Sequence, residues 1–178
     1  MKNTSKKIAL TGLLATLGLL AFMLESLLPP LFIPGARMGI SNVFILMAFF
    51  IAGSGYAFAV FLVKVVLGSL FSGNFSALLY SLPSGFIALL IQILLFKSDK
   101  FSVIAVSTLG GVLNLVFQNL TFCLITRTPA FLTYVPYLAL IGVVAGFIVG
   151  LIVVLAKALL PQKYFLTNIT NNTSEDSK

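Results

Sequence analysis

Two ionisable residues stand inside long apolar runs: Glu25 in the outer part of the first, and Lys64 in the middle of VFLVKVVLGS. A charge at membrane depth is costly, and such residues are by default candidates for function. Two readings of this pair stay open. One is a structural ion pair, with Lys64 otherwise snorkelling toward an interface; the other is a substrate contact. Carboxamides form a second set. Asn114 and Gln118 are four apart and share one helical face, with Asn119 beside that stripe. They suit hydrogen bonds between helices, worth about 0.6–2 kcal/mol each, or a polar ligand. Tyr80, Ser81, Tyr134 and Tyr137 fall at the ends of apolar runs, where an interfacial tyrosine belt is the plainer reading.

Other chemistry is excluded by what the chain lacks. It has no histidine, which removes the commonest general base and metal ligand. Its single cysteine, Cys123, sits in an apolar run, so neither a disulfide framework nor a cysteine metal cluster is expected. There is no phosphate-binding loop of the G-x4-GK[ST] type. The acidic residues are Glu25, Asp99, Glu175 and Asp176, and only Glu25 lies in an apolar run. One buried carboxylate makes neither an acid–base pair nor a magnesium site for a diphosphate. No catalytic residues, metal or cofactor are therefore expected.

The elements that must carry these residues are membrane helices. Hydrophobic residues make up 60% of the 178, charged ones 8%, and mean hydropathy is +1.14. A soluble domain would carry about a quarter charged residues. Apolar stretches in hydrocarbon must satisfy their backbone internally, so they are helices. Six spans are expected, at 8–28, 39–52, 56–71, 76–96, 101–125 and 132–160, in one domain covering 1–166. The second and third are short, and a five-span count stays open. The first follows three lysines as a signal peptide would. Its length, near the roughly 20 residues of a span, and the lack of a small-residue cleavage site indicate a retained helix.

Lysines at the amino end, in KSDK (97–100) and at Lys157 and Lys163 then share one face, which the positive-inside rule makes cytoplasmic, with both termini inside. The formal charge of +7 reflects this topology and not a nucleic-acid footprint. The polar tail 167–178 is expected to be disordered.

By that topology Arg37, Arg127, Asn74, Tyr80, Tyr134 and Tyr137 gather at the outer face with Lys64 below them. Three cations against one carboxylate suit an anionic solute, and the surrounding phenylalanines suit one with an apolar body. The loop PPLFIPGARMGISN (29–42) is the most rigid break. Its prolines lower the entropy lost on ordering, its glycines allow close backbone approach, and Arg37 can fork onto a carboxylate or phosphate. It is expected to be a lid rather than a plain re-entrant connector, which would need the prolines but not the arginine. Small residues four apart, Gly142, Gly146 and Gly150, let helices approach closely. Thr11, Gly12, Ala15 and Gly18 form a similar set in the first span. Both sets tighten the bundle or, alternatively, dock another membrane subunit.

LESLLPPLFIPGARMGISNV (24–43), KVVLGSLFSGNFSALLYSLPSG (64–85) and FSVIAVSTLGGVLNLVFQNL (101–120) resemble the Gx transporter family, often labelled heptaprenyl diphosphate synthase component I. The likeness runs from about Glu25 to Leu151. That family is similar to the S-components of energy-coupling factor transporters. The resemblance implies a six-helix capture subunit with both ends inside and a first outer loop that closes over a small-molecule ligand. It further implies that small residues of the first helix meet a coupling subunit, which two ATPases serve in trans. Arg37, Asn42, Lys64 and Gln118 fall on positions where the family has a cation, an asparagine, usually an arginine, and a glutamine. Where the family tends to have His-Asn this chain has Asn114-Leu115, which removes a titratable group. A secondary transporter is disfavoured by the lack of inverted repeats and of buried carboxylates for ion coupling.

Overall fold

The computed structural model describes residues 2–27, 39–73, 75–98 and 100–159. The loop 28–38 with Arg37, residue Asn74, and the tail from 160 lie outside the described residues. Among the described residues six α-helices follow one another: α1 (Lys2–Ser26), α2 (Asn42–Ala52), α3 (Ser54–Phe71), α4 (Phe75–Lys97), α5 (Val103–Thr126) and α6 (Val135–Leu159), with a 3-10 turn over Pro129–Tyr134 before the last. Ser102 caps α5 by accepting the Ala105 N–H at 3.2 Å. Pro136 sits in the first turn of α6, where a missing N–H costs nothing.

Five of these helices are long and apolar enough to cross a membrane, the last of them together with its 3-10 turn. The sixth expected span is different. α2 has 11 residues, which at about 1.5 Å each reach about 16 Å, against a hydrocarbon core of about 30 Å. The span expected at 39–52 is thus a half-length helix. It starts late because Gly39 has a φ of +80°, outside helical space. Almost every side chain from Val43 to Ala52 is buried, which an apolar-all-round sequence requires. α2 is the pivot of the core.

Gly53, with φ 110° and ψ 177°, reverses the chain between α2 and α3. Asn42 and Lys64 lie equally far from this glycine along the two helices, so the hairpin brings them to the same height. α1 runs parallel to α3: Phe22 covers Gly68, and a Cβ at Gly18 would lie 3.9 Å from the Lys64 Cδ. α5 and α6 pack backbone to backbone. A Cβ at Gly142 would fall 2.7 Å from the Val112 Cα, one at Gly146 2.6 Å from the Ser107 carbonyl, and one at Gly150 2.9 Å from the Ile104 Cα. The three glycines of α6 therefore bury their spacing inside the chain.

The set expected on α1 divides. Thr11 and Ala15 are 9% and 8% exposed, and Gly18 is buried against Phe44. Gly12 is exposed, with open space beside it. Three of the four residues expected at a docking surface thus face this chain's own interior, because the α1 stripe at i, i+4 and i+7 is the stripe that meets α2 and α3.

Candidate functional site: a polar cavity at the tip of a half-length helix

A helix that begins inside a bundle exposes backbone N–H groups with no water to satisfy them. Here the first turn of α2 tightens, so that Asn42, Val43 and Phe44 donate to the carbonyls of Gly39, Ile40 and Ser41 at 2.9, 3.1 and 3.3 Å. The remaining donors go to another helix. Gly39 N–H donates to Glu25 Oε2 at 3.2 Å and Ser41 N–H to Glu25 Oε1 at 2.6 Å. Glu25 caps α2 from α1, and the negative charge lies where the helix dipole favours it. Ser41 makes no side-chain cap bond of its own. Its hydroxyl, 1% exposed as a residue, accepts instead from Lys64 Nζ at 3.2 Å. Lys64 Nζ also donates to Asn42 Oδ1 at 2.6 Å. Glu25 and Lys64 are joined through the segment Gly39–Asn42, one holding its backbone and the other its side chains. Charge-assisted bonds of this kind contribute about 1.5–3 kcal/mol each.

Beside this tip lies a cavity of about 40 Å³, walled by α1, α2, α3, α4 and α5. By the measure of about 10–15 Å³ per water, it has room for a compact polar group. Phe22 and Phe61 supply apolar wall, and Lys64 and Glu25 are the charged residues among the described lining. α4 contributes Ser81, Gly85 and Gln92; α5 contributes Gly110, Asn114 and Gln118. These are two helical stripes in antiparallel register. Gln118 Nε2 donates to Ser81 Oγ at 2.9 Å at one end, and Gln92 Nε2 to the Val106 carbonyl at 3.5 Å at the other. Between them Gly85 gives room for the Phe61 ring, whose Cε2 would be 2.5 Å from a Cβ placed there, with the Asn114 Oδ1 3.6 Å from the same point.

Of the residues expected at the site, Asn42, Lys64, Asn114 and Gln118 come together on this cavity. Three others do not line it. Tyr80 is 7% exposed and belongs to a separate aromatic cluster, edge-on to Phe122 at 5.1 Å. Arg127 is an exposed left-handed C-cap of α5 with φ 53°. Tyr137 is 58% exposed on α6. All three were grouped by membrane height, and height does not say which way a helix face points. Arg37 and Asn74 lie outside the described residues. Asn119, next to the stripe, clamps the 3-10 turn through Nδ2 to the Phe131 carbonyl at 2.9 Å.

Ser41, Ser81 and Gln92 are cavity residues that sequence reasoning did not assign, and the role of Glu25 was left open. Ser81, Gly85, Ala88 and Gln92 follow helical spacing, a stripe of polar and small residues in an apolar helix. That signal was available. The cap by Glu25 was not, since it joins residues across the loop 28–38.

Five long apolar helices around an internally capped half-helix and a polar cavity define a multi-pass helical membrane protein with an intramembrane polar site. Residues 14–156 match the family model described as heptaprenyl diphosphate synthase component I, and the chain belongs to that family. Neither a curated protein nor a solved structure matches it.

Proposed function

We propose that the chain is the substrate-binding membrane subunit of an energy-coupling factor type transporter, a capture subunit similar to the S-components. In this reading it lies in a bacterial cytoplasmic membrane with both termini on the cytoplasmic side. It binds a small, partly apolar metabolite from outside, either an isoprenoid or quinone precursor or a vitamin-like compound. A coupling subunit and two ATPases supplied in trans then deliver it, and the chain itself is non-catalytic. One observation supports this reading most: a polar cavity walled by five helices within the bundle, with Lys64, Asn42, Asn114 and Gln118 converging on it. A purely structural bundle gains nothing from a cavity lined with polar groups, since each is costly in hydrocarbon.

The anionic ligand expected from Arg37, Lys64 and Arg127 finds less support. Arg127 is exposed and away from the cavity, and Lys64 shares it with Glu25. The family name favours a second reading, a non-catalytic membrane accessory of a prenyl diphosphate or quinone biosynthetic enzyme. Purification of the tagged chain from its native membrane, with mass spectrometry of what accompanies it, separates the two. Recovery of a coupling subunit and ATPases is the expected result. Recovery of a prenyltransferase or quinone enzyme without ATPases overturns it in favour of the accessory.

A further inference from the structure

Asn114 is the anomaly of the cavity. Gln92 and Gln118 use their amides to tie α4 to α5, and Asn42 uses its oxygen for Lys64. The Asn114 carboxamide makes no hydrogen bond with any described residue, although it stands between two helices in the cavity wall. Glycines flank both of its ends: a Cβ at Gly85 would lie 3.6 Å from Oδ1, and a Cβ at Gly39 3.6 Å from Nδ2. The same point beside Gly39 is 2.9 Å from the Asn42 Nδ2, the end of that amide not bound to Lys64. A polar group left unmatched inside an apolar bundle costs about 1–3 kcal/mol. Here the half-buried Asn114 lines the cavity, and the cavity is the space in which a partner for it can sit.

Each carboxamide has a planar donor and acceptor side by side. Asn114 therefore matches a group with the same alternation, and Asn42 adds a donor next to it. A carboxylate or phosphate offers acceptors only, so it would use the Nδ2 donors and leave the Asn114 Oδ1 unmatched. The charges among the described lining residues, Glu25 and Lys64, are of opposite sign and both engaged with the α2 tip.

We propose that the cavity receives the uncharged amide-like edge of a ligand, a lactam, ureido or carboxamide group, paired with Asn114 and assisted by Asn42. This inference rests on the capture reading and narrows its ligand. The room available suits such an edge entering first, with any apolar body toward Phe22 and Phe61.

The test uses the full chain in lipid nanodiscs and four probes: benzamide, uracil, benzoate and inorganic pyrophosphate, titrated by ligand-observed NMR. Benzamide and benzoate share shape and differ in the edge. Benzamide and uracil are expected to bind at least about tenfold more tightly than benzoate, the factor of one or two hydrogen bonds. Asn114→Leu should remove that preference while melting at or above the wild-type temperature. Asn114→Asp, which keeps the shape and replaces the donor, should weaken benzamide without helping benzoate. Tighter binding of benzoate or pyrophosphate overturns the inference, as does unchanged benzamide affinity in both variants, or failure of all four probes to bind. None of these outcomes touches the capture reading, which stands or falls on the partners recovered from the membrane.

Discussion

The two long faces of α5 solve opposite problems. Toward α6, Ile104, Ser107, Thr108 and Gly111 meet Gly150, Gly146 and Gly142 with backbone against backbone. Toward α4, Gly110, Asn114 and Gln118 meet Gln92, Gly85 and Ser81 across polar side chains and a cavity. Glycine serves both faces, but to different ends. On the α6 side it lets the helices close until no space remains, which in lipid is where association energy comes from, because hydrocarbon offers no hydrophobic drive between helices. On the α4 side Gly85 admits the Phe61 ring and Gly110 lets the Gln92 amide pack across α5. One face is built to hold and the other to receive.

The largest effect expected from breaking this contrast is on the closed face. Gly146→Leu has nowhere to place its side chain, since even a Cβ would meet the Thr108 Cα at 2.7 Å. It should abolish a monodisperse folded species, read by size-exclusion chromatography and thermal melting. Wild-type behaviour would show that α5 and α6 part easily, against the packing described.

Next comes the capped tip of α2. Glu25→Ala leaves the Gly39 and Ser41 N–H groups unmatched and Lys64 without its neighbouring charge. The expected loss is about 1.5–3 kcal/mol, the scale of a charge-assisted hydrogen bond. Adding Lys64→Met to that variant should recover part of the loss, which a double-mutant cycle by denaturant titration in mixed micelles measures. Strict additivity would mean that the two charges do not act together through Gly39–Asn42.

Gly39→Ala should cost less, about 1–2 kcal/mol for a left-handed backbone, and should also weaken ligand binding, because the added carbon would crowd the Asn42 amide at 2.9 Å. The smallest effects sharpen the contrast. Arg127→Ala and Tyr137→Phe lie away from both faces and should leave melting and probe binding unchanged. A loss of binding in either variant would return the outer face to the site.

Much of the fold was legible because membrane helices announce themselves by length and apolarity. The boundaries of α3, α4 and α5 fall within about two residues of those expected from hydropathy and loop residues. The half-length α2 was only partly legible, since an apolar run of its length fits either a short span or a buried core helix. The site divided along the same line. Asn114 and Gln118 could be paired from their spacing alone, and the α4 stripe from Ser81 to Gln92 had the same signal. Tyr80, Arg127 and Tyr137 were grouped by height, and the rotation of each helix about its axis sends them elsewhere.

By itself the sequence determined that this is a multi-pass helical membrane protein with Glu25 and Lys64 within apolar runs. It also determined that α6 carries small residues four apart, which let helices approach closely. Only the tertiary structure decided that the α6 glycines are consumed inside the chain, and that Thr11, Ala15 and Gly18 face inward. It also decided that Glu25 caps a helix sixteen residues away through Ser41. The reason is physical: composition and period act within one helix, whereas capping, register and free space depend on how two helices are turned toward each other.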